Sequence, residues 1–425
     1  MQRATVVCVS IALSFALLLS ASVSLAENWT QFRGPGAAAR SDETGLPTTW
    51  DAQTNVVWKT ALPGPGASSP VTYGDRIYVT CYSGYGLNSR EPGDADQLQR
   101  NLVSINRQDG QIIWDSAQPA TSPQKPYQGF IALHGYASGT PAMDEDGIYV
   151  FYGTTGAAAY SHDGKQLWLT PCGTKTHGFG TGTSPVLFEN LVIVNASVES
   201  GNLIGLDKQT GKEIWSQSGI NSSWNTPALV QANGSWELVV NTKGKVLAFD
   251  PATGTKLWSC DAINDYIVPS ILADGDIVYA IGGRKNTCLA IRAGGRGDVT
   301  GSHKLWEIGK GSNVSSPVIH EGHLYWASEG RGTVYCADIK TGEMVYEERL
   351  DPRPGRIYAS PVAADGKLYY VSRDQGAYVL SASPQFELLA FNQIATDDSI
   401  FNGSPVVSDG QILLRSDKYL YCIDE

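Results

Sequence analysis

From about residue 58 onward the chain alternates short apolar runs with glycine turns, and the pattern recurs. Each unit opens on a Ser/Thr-Pro-Val/Ala signal, then a short apolar strand, a Gly-containing turn and an alternating strand such as Gly147-Ile148-Tyr149-Val150-Phe151-Tyr152. A third strand ends in Asp or a substitute, as in Leu247-Ala248-Phe249-Asp250. A tight turn and a Trp strand follow, as in Asp207 to Trp215 through Thr210-Gly211, and Asp250 to Trp258 through Thr253-Gly254. Asp at the start of such a turn can accept from the backbone two residues on, and Gly takes a positive φ without steric penalty. Proline at the first residue of a strand gives up no ladder hydrogen bond.

The signal falls at Pro70, Pro141, Pro185, Pro227, Pro317, Pro361 and Pro405, and a degenerate copy, Val268-Pro269-Ser270-Ile271, fills the one large gap after Pro227. The spacings are 71, 44, 42, 42, 48, 44 and 44 residues, and the polar stretch 82–100 accounts for most of the first as an inserted loop. Four strands per unit of this length is the spacing of a β-propeller. Trp58, Trp114, Trp168, Trp215, Trp258 and Trp306 close six units, Tyr346 closes a seventh, and Leu388-Leu389 stands for an eighth. Trp58 precedes the first signal, while the last pattern, 419–424, reads as a third strand. The N-terminal Trp strand is therefore expected to complete the last blade. The expected fold is all-β: an eight-bladed β-propeller of four-stranded antiparallel blades over 58–425, preceded by a lead-in at 27–57.

Met1-Gln2-Arg3 is a short basic start, Val6 to Leu19 is nearly unbroken apolar sequence, and Ser24-Leu25-Ala26 supplies small residues before a cut at Glu27. Residues 1–26 thus read as a secretory signal. The run is short and serine-punctuated for a membrane anchor, which needs about 20 apolar residues. No Cys sits at the cut, which argues against a lipoprotein, so the expected product is exported, soluble, and periplasmic or extracellular. Six cysteines remain after it, at 81, 172, 260, 288, 336 and 422, and none forms CxxC or an adjacent pair. An even number in an exported chain permits disulfides, with buried free thiols as the alternative.

Composition narrows the partners. The formal net charge is −11, with 17% charged residues, 46 Gly and 11 Trp. An acidic surface has no electrostatic route to nucleic acid or to anionic lipid, and no second apolar run suggests a membrane span. A monomer is expected.

The unit Pro-Val, Gly-x-Ile-Tyr-Val, Leu-x-Ala-Leu-Asp, Thr-Gly-x-x-x-Trp resembles the pyrroloquinoline-quinone-like (PQQ-like) propeller repeat over about 58–425. That resemblance implies one of two roles. Quinoprotein dehydrogenases use PQQ with calcium, held by a Glu, an Asn and an Asp beside a catalytic Asp. Non-enzymatic exported propellers, similar to the B component of the outer-membrane barrel-assembly machinery, bind protein partners. No adjacent cysteines and no matching catalytic Asp motif exist here, so a binding or scaffold module is the expected function. A PQQ-dependent or other small-ligand oxidoreductase is the alternative.

In this blade order the linkers into first strands share a face with the loops joining second to third strands. A funnel for an anionic or planar ligand is expected there, with His134, Tyr136, His177, Trp224, Tyr266 and Tyr358 as walls. Arg284, Arg331, Arg356 and Arg373 are its expected cations. Asp265 and Glu199 are the candidate catalytic or calcium-ligating carboxylates, and also the pair to test for carbohydrate-cleaving chemistry. His134 and His177 lack an evident third ligand, so no metal site is expected. The same face, with the 82–100 arm, is the expected docking surface for a protein partner.

Overall fold

The computed structural model describes residues 28–121 and 123–425; the leader expected at 1–26 lies outside them. Among the described residues, eight antiparallel sheets follow one another along the chain. Blade 1 spans 71–119, blade 2 142–170, blade 3 186–218, blade 4 228–261, blade 5 272–308, blade 6 318–349, blade 7 362–392 and blade 8 406–423. The fourth strand of blade 8 is Val56–Ala61, which pairs antiparallel with Tyr419–Ile423, placing Trp58 opposite Cys422. The all-β, eight-bladed expectation and its closing strand therefore hold. Blade 4 carries one strand more, Gly297–Asp298, paired parallel to Lys256–Asp261.

Burial follows strand position. A second strand such as Leu191–Ala196 is buried along its whole length, whereas the fourth strand Ile112–Pro119 alternates between half-buried and exposed. The core is thus the set of interfaces between blades. At those interfaces the Trp strands lock onto the next blade in a repeated way. Trp168 Nε1 donates to Lys208 O at 2.9 Å, Trp58 Nε1 to Arg107 O at 2.9 Å, and Trp306 Nε1 to Ile339 O at 3.0 Å. The turn glycine of the receiving blade lies flat against the same ring. Gly211 has φ +70, and a Cβ there would stand 2.6 Å from Trp168 Cδ2, so both backbone conformation and packing require glycine. Trp258 departs from the pattern. Its Nε1 donates instead to Glu237 Oε2 at 2.7 Å, a fully buried carboxylate that also accepts from Gly294 N and from Arg296 Nη1. The long turn at 293–303 in blade 5 replaces the Thr-Gly turn there.

The innermost contacts form a closed ring. The backbone N–H of Ser69 donates to Thr140 Oγ1, Thr140 to Ser184, Ser184 to Thr226, and Thr226 to Ser270. Ser270 donates to Ser316, Ser316 to Ser360, Ser360 to Ser404, and Ser404 back to Ser69, all eight bonds measuring 2.9–3.2 Å. These are the hydroxyl residues of the repeat signal. Blade 5 shows that the hydroxyl defines the position: Ser270 joins the ring, Ile271 occupies the usual proline site, and Pro269 is displaced one residue earlier. Counted on the hydroxyls, 226 to 270 and 270 to 316 are separated by 44 and 46 residues, more even than the proline spacing suggested.

The lead-in packs across the opposite face. Trp29 is buried and exchanges bonds with Thr72 in blade 1, while Met143 N in blade 2 donates to Thr30 O. Buried Arg33 then bonds Pro317 O in blade 6, Ser41 N donates to Ala363 O in blade 7, and Glu43 accepts from Asp409 N and Gly410 N in blade 8. The segment therefore crosses the channel mouth away from the loop face. The six cysteines at 81, 172, 260, 288, 336 and 422 are buried free thiols.

The ring makes a stability prediction. Ser316→Ala leaves the buried Ser270 N–H without an acceptor and should cost about 1–3 kcal/mol. Ser316→Thr, which copies Thr140 and Thr226, should cost much less. Denaturant unfolding of both variants measures the difference, and equal midpoints would remove the ring's claim to hold the blades together.

Candidate functional site

The two sets of loops on one face are stitched to each other. Lys243 N donates to Asn221 O, Ile357 N to Glu329 O, Arg373 N to Arg356 O and Phe401 N to Arg373 O, at 2.9–3.1 Å. This rim surrounds an axial cavity of about 680 Å³. One rule gives much of its wall. The residue two positions before each ring hydroxyl faces the axis: Ala67, Ser138, Gly182, Trp224, Val268, Val314, Tyr358 and Asn402, in blade order. Trp224 and Asn402 lead into blades 4 and 8, so they face each other across the axis. Ala67, Ser138 and Gly182 are small, and the space beside them is taken by Phe130, Leu133 and His134.

Those three residues belong to a strap, 127–135, in the linker between blades 1 and 2, with a short helical turn at Ile131–His134. Its far side is pinned by one carbonyl: Leu133 O accepts from Arg373 Nη2 at 3.0 Å and from Asn402 Nδ2 at 2.8 Å, in the loops of blades 7 and 8. His134 fixes the near side. Its Nε2 donates to Phe179 O at 2.7 Å, so its Nδ1 accepts from Ser138 Oγ, also 2.7 Å away. Burial lowers its pKa and keeps the ring neutral. Phe32 enters from the lead-in and also lines the cavity.

The aromatic residues gather on one side. Phe179 packs against Phe130, Trp224 and Tyr266 with centroids 4.8–5.4 Å apart. His177 stacks edge-on against Trp224 at 4.8 Å from outside the lining, and so buttresses the wall. Trp224 Nε1 donates to Gly180 O at 2.8 Å, which fixes its plane. Tyr136 lies elsewhere, in a second cluster with Tyr82, Tyr85 and Tyr127 under the 84–98 insert.

The expected cations do not converge as a set. Arg284 is exposed, lies 4.7 Å over the Tyr266 ring and pairs with Asp265 at 3.9 Å. Arg331 is exposed outside the lining. Arg373 is buried, stacks over Tyr358 at 4.8 Å and holds the strap. Arg356 does line the cavity, joined by Arg353, and both are exposed to solvent.

Neither candidate carboxylate lines the cavity. Asp265 accepts from Arg284 N and Tyr266 N; burial alone would raise its pKa, and these bonds outweigh it and hold it low. Glu199 is buried, accepts from Thr181 Oγ1, and is pushed up to about 7 by burial, against the opposing effects of that bond and of the Arg100 charge. Among the described residues, the carboxylate that does line the cavity is Glu329. Asn313, Asn402, Arg353 and Leu133 complete the site beyond the expected set. Counting two residues back from each ring hydroxyl finds Asn402; the strap and Asn313 carry no periodic signal.

Two outcomes follow from this geometry. Arg373→Ala combined with Asn402→Ala frees Leu133 O, so amide hydrogen exchange over 127–135 should accelerate by about tenfold or more while the blades stay protected. Unchanged exchange there would mean the strap is held by packing alone. Glu199 binds its proton more tightly folded than unfolded, so its contribution to stability falls as pH rises from about 4.5 to about 7. The melting temperature of wild type should therefore drop more between pH 5 and 8 than that of Glu199→Gln. Asp417, raised by burial to about 6, contributes a slope of the same sign to both proteins.

Comparison with known proteins agrees with the fold. Residues 99–307 and 296–384 match the family described as outer membrane protein assembly factor BamB. No curated protein matches the chain by sequence. Among solved structures, BamB from Moraxella catarrhalis is similar over 87% of this chain and 97% of its own, at 14% identity and a TM-score of 0.60. The quinohemoprotein alcohol dehydrogenase from Comamonas testosteroni is similar over 93% and 80%, at 11% identity and a TM-score of 0.68. The computationally designed Ika8 protein is similar over 86% and 99%, at 14% identity and a TM-score of 0.55. At such identities the structural likeness shows the fold alone. The family match spans well over half of the sequence, and the closed eight-bladed ring agrees with it: this chain belongs to the PQQ-like propeller family described as outer membrane protein assembly factor BamB.

Proposed function

We propose that the protein is an exported, non-enzymatic propeller that binds a protein partner across its loop face. The observation that carries this reading is the arm at 84–98. Its base is fixed by the tyrosine cluster, with Gly86 against the Tyr127 ring, and it projects Leu87 into solvent, 56% exposed. Phe130 on the neighbouring strap is equally exposed. A rigid ring that presents apolar side chains on ordered loops loses little entropy on docking. The family description, an assembly factor, supports the same reading. The leader read at 1–26, with no Cys at its cut, supports an exported protein of the periplasm or the cell exterior without a lipid anchor, and we propose that it acts as a monomer. Among the described residues no helix is long and apolar enough to cross a membrane.

A second reading, small-ligand binding in the axial cavity, is favoured by its closure: the strap crosses one end and the lead-in the other. The cavity fits PQQ with calcium poorly. Glu329 is its single carboxylate, and no three His, Cys, Asp or Glu gather among the described residues to hold a metal. No oxidoreductase step is derived from it.

Photocrosslinking tests the loop face. A benzophenone side chain at Leu87 or Phe130 should yield discrete adducts in producing cells, while the same probe at Ile214 or Leu305, exposed on outer strands, should not. Adducts confined to the outer strands would place the partner elsewhere and reject the reading.

A further inference from the structure

Resting on the loop-face reading above, we propose that the partner segment docked there is acidic, with its carboxylates over the loops of blades 2 to 6 and apolar side chains between them, against Phe130 and the cavity mouth. The uneven charge of the face carries the inference. Lys125 and Lys175 stand on the linkers into blades 2 and 3, and Lys243, Lys285 and Arg331 on the second-to-third loops of blades 4, 5 and 6. Arg353 and Arg356 stand on the linker into blade 7. All seven are exposed, and among the described residues none enters an ion pair. The loops and linkers of this arc hold four carboxylates. Glu199 is buried, Glu329 is half-buried, and Asp265 is engaged by Arg284 and Tyr266, so Asp351 alone is exposed. A chain of formal net charge −11 thus gathers unpaired cations on one arc of one face. Like charges held together oppose folding, so the arc has no structural reason to exist.

The rest of the face has the opposite sign. Asp374, Asp397 and Asp398 lie in the loops around blades 7 and 8, and Glu91, Asp94 and Asp96 lie on the arm. Lys418 is already paired with Asp398. A uniform polyanion, such as nucleic acid, would reach from the first arc onto the second and be repelled there. A protein segment can confine its carboxylates to the first arc and lay neutral or basic residues over the arm. The apolar side chains fit the same occupant. Exposed Phe130 packs edge-on against Phe179 at 4.8 Å, beside the mouth that Arg353 and Arg356 line. A guanidinium there can take a carboxylate through two parallel bonds while staying in water. Exposed pairs of this kind contribute little affinity each, but they speed encounter and fix orientation. The charge split therefore sets how the partner lies on the ring.

The experiment titrates the mature protein with probes carrying a neutral dye and reads fluorescence anisotropy. The probes are twelve-residue peptides randomised over Asp, Glu, Leu and Phe, peptides of the same length randomised over Lys, Arg, Leu and Phe, and a twelve-nucleotide oligothymidylate. The expected result is saturable binding of the acidic peptides, weakened about tenfold or more in the triple variant Lys243→Glu, Arg331→Glu, Arg356→Glu, and weakened again on raising salt from about 25 to about 300 mM. Lys165, Lys212 and Lys256 are exposed at third-to-fourth turns on the opposite face. Their triple change to Glu alters the net charge equally and should leave binding within about twofold of wild type. Circular dichroism checks each variant, and the triple alanine variant at 243, 331 and 356 stands in if charge reversal disturbs the fold, with a smaller loss in the same direction. Equal weakening in the two triple variants, or tighter binding of the basic peptides or of the oligothymidylate, would overturn the acidic segment. Saturation by none of the probes would overturn it too, while the loop-face reading stands or falls separately on the crosslinks at Leu87 and Phe130.

Discussion

One contact per blade organises this molecule: a backbone amide at the start of the first strand donates to the hydroxyl of the next blade. Each bond alone contributes about 1 kcal/mol. Because the eight close on themselves, from Ser69 around to Ser404 and back, no blade can move outward without breaking two of them. The ring also decides what lies above it. Once the hydroxyl of each signal is held, the residue two positions earlier must face the axis, so the cavity wall is a by-product of the constraint that closes the fold.

The backbone repeats around the axis, but the side chains do not. Small residues at Ala67, Ser138 and Gly182 leave one arc open for the strap, a tryptophan occupies the middle of the aromatic arc, and a carboxamide faces it. The strap reaches the far rim through a single carbonyl shared by Arg373 and Asn402. Arg373, one of the expected cations, thus holds the structure that covers the cavity, because a buried guanidinium gains a hydrogen bond from a carbonyl beside it.

The fold was legible because its determinants are local and repeated. The Ser/Thr-Pro signal, the Thr-Gly turn and the Trp recur in phase, and even the closing strand could be read from a Trp that precedes the first signal. The off-phase copy at Pro269 misled by one residue because proline marks the strand start only by compatibility, whereas Ser270 makes the bond. The site was legible in part. His134, Trp224, Tyr266, Arg356 and Tyr358 do line the cavity; Trp224 and Tyr358 stand two residues before a ring hydroxyl, and all five lie in the linkers that lead into first strands. The parting of Arg284 and Arg331 from it, and the burial of Glu199 outside its lining, depend on how loops fold against one another, for which spacing carries no information.

The pairing of Val56–Ala61 with Tyr419–Ile423 has a consequence for the order of assembly. The first strand of the propeller to emerge from the ribosome has no partner until nearly the whole chain has been made. Until then the blades can stack only as an open arc, whose two ends each present an unpaired sheet or an uncovered blade face. Synthesis therefore has a long interval in which ring closure is topologically out of reach. The last strand to arrive acts as the clasp, and the molecule acquires its circular form in a single late event.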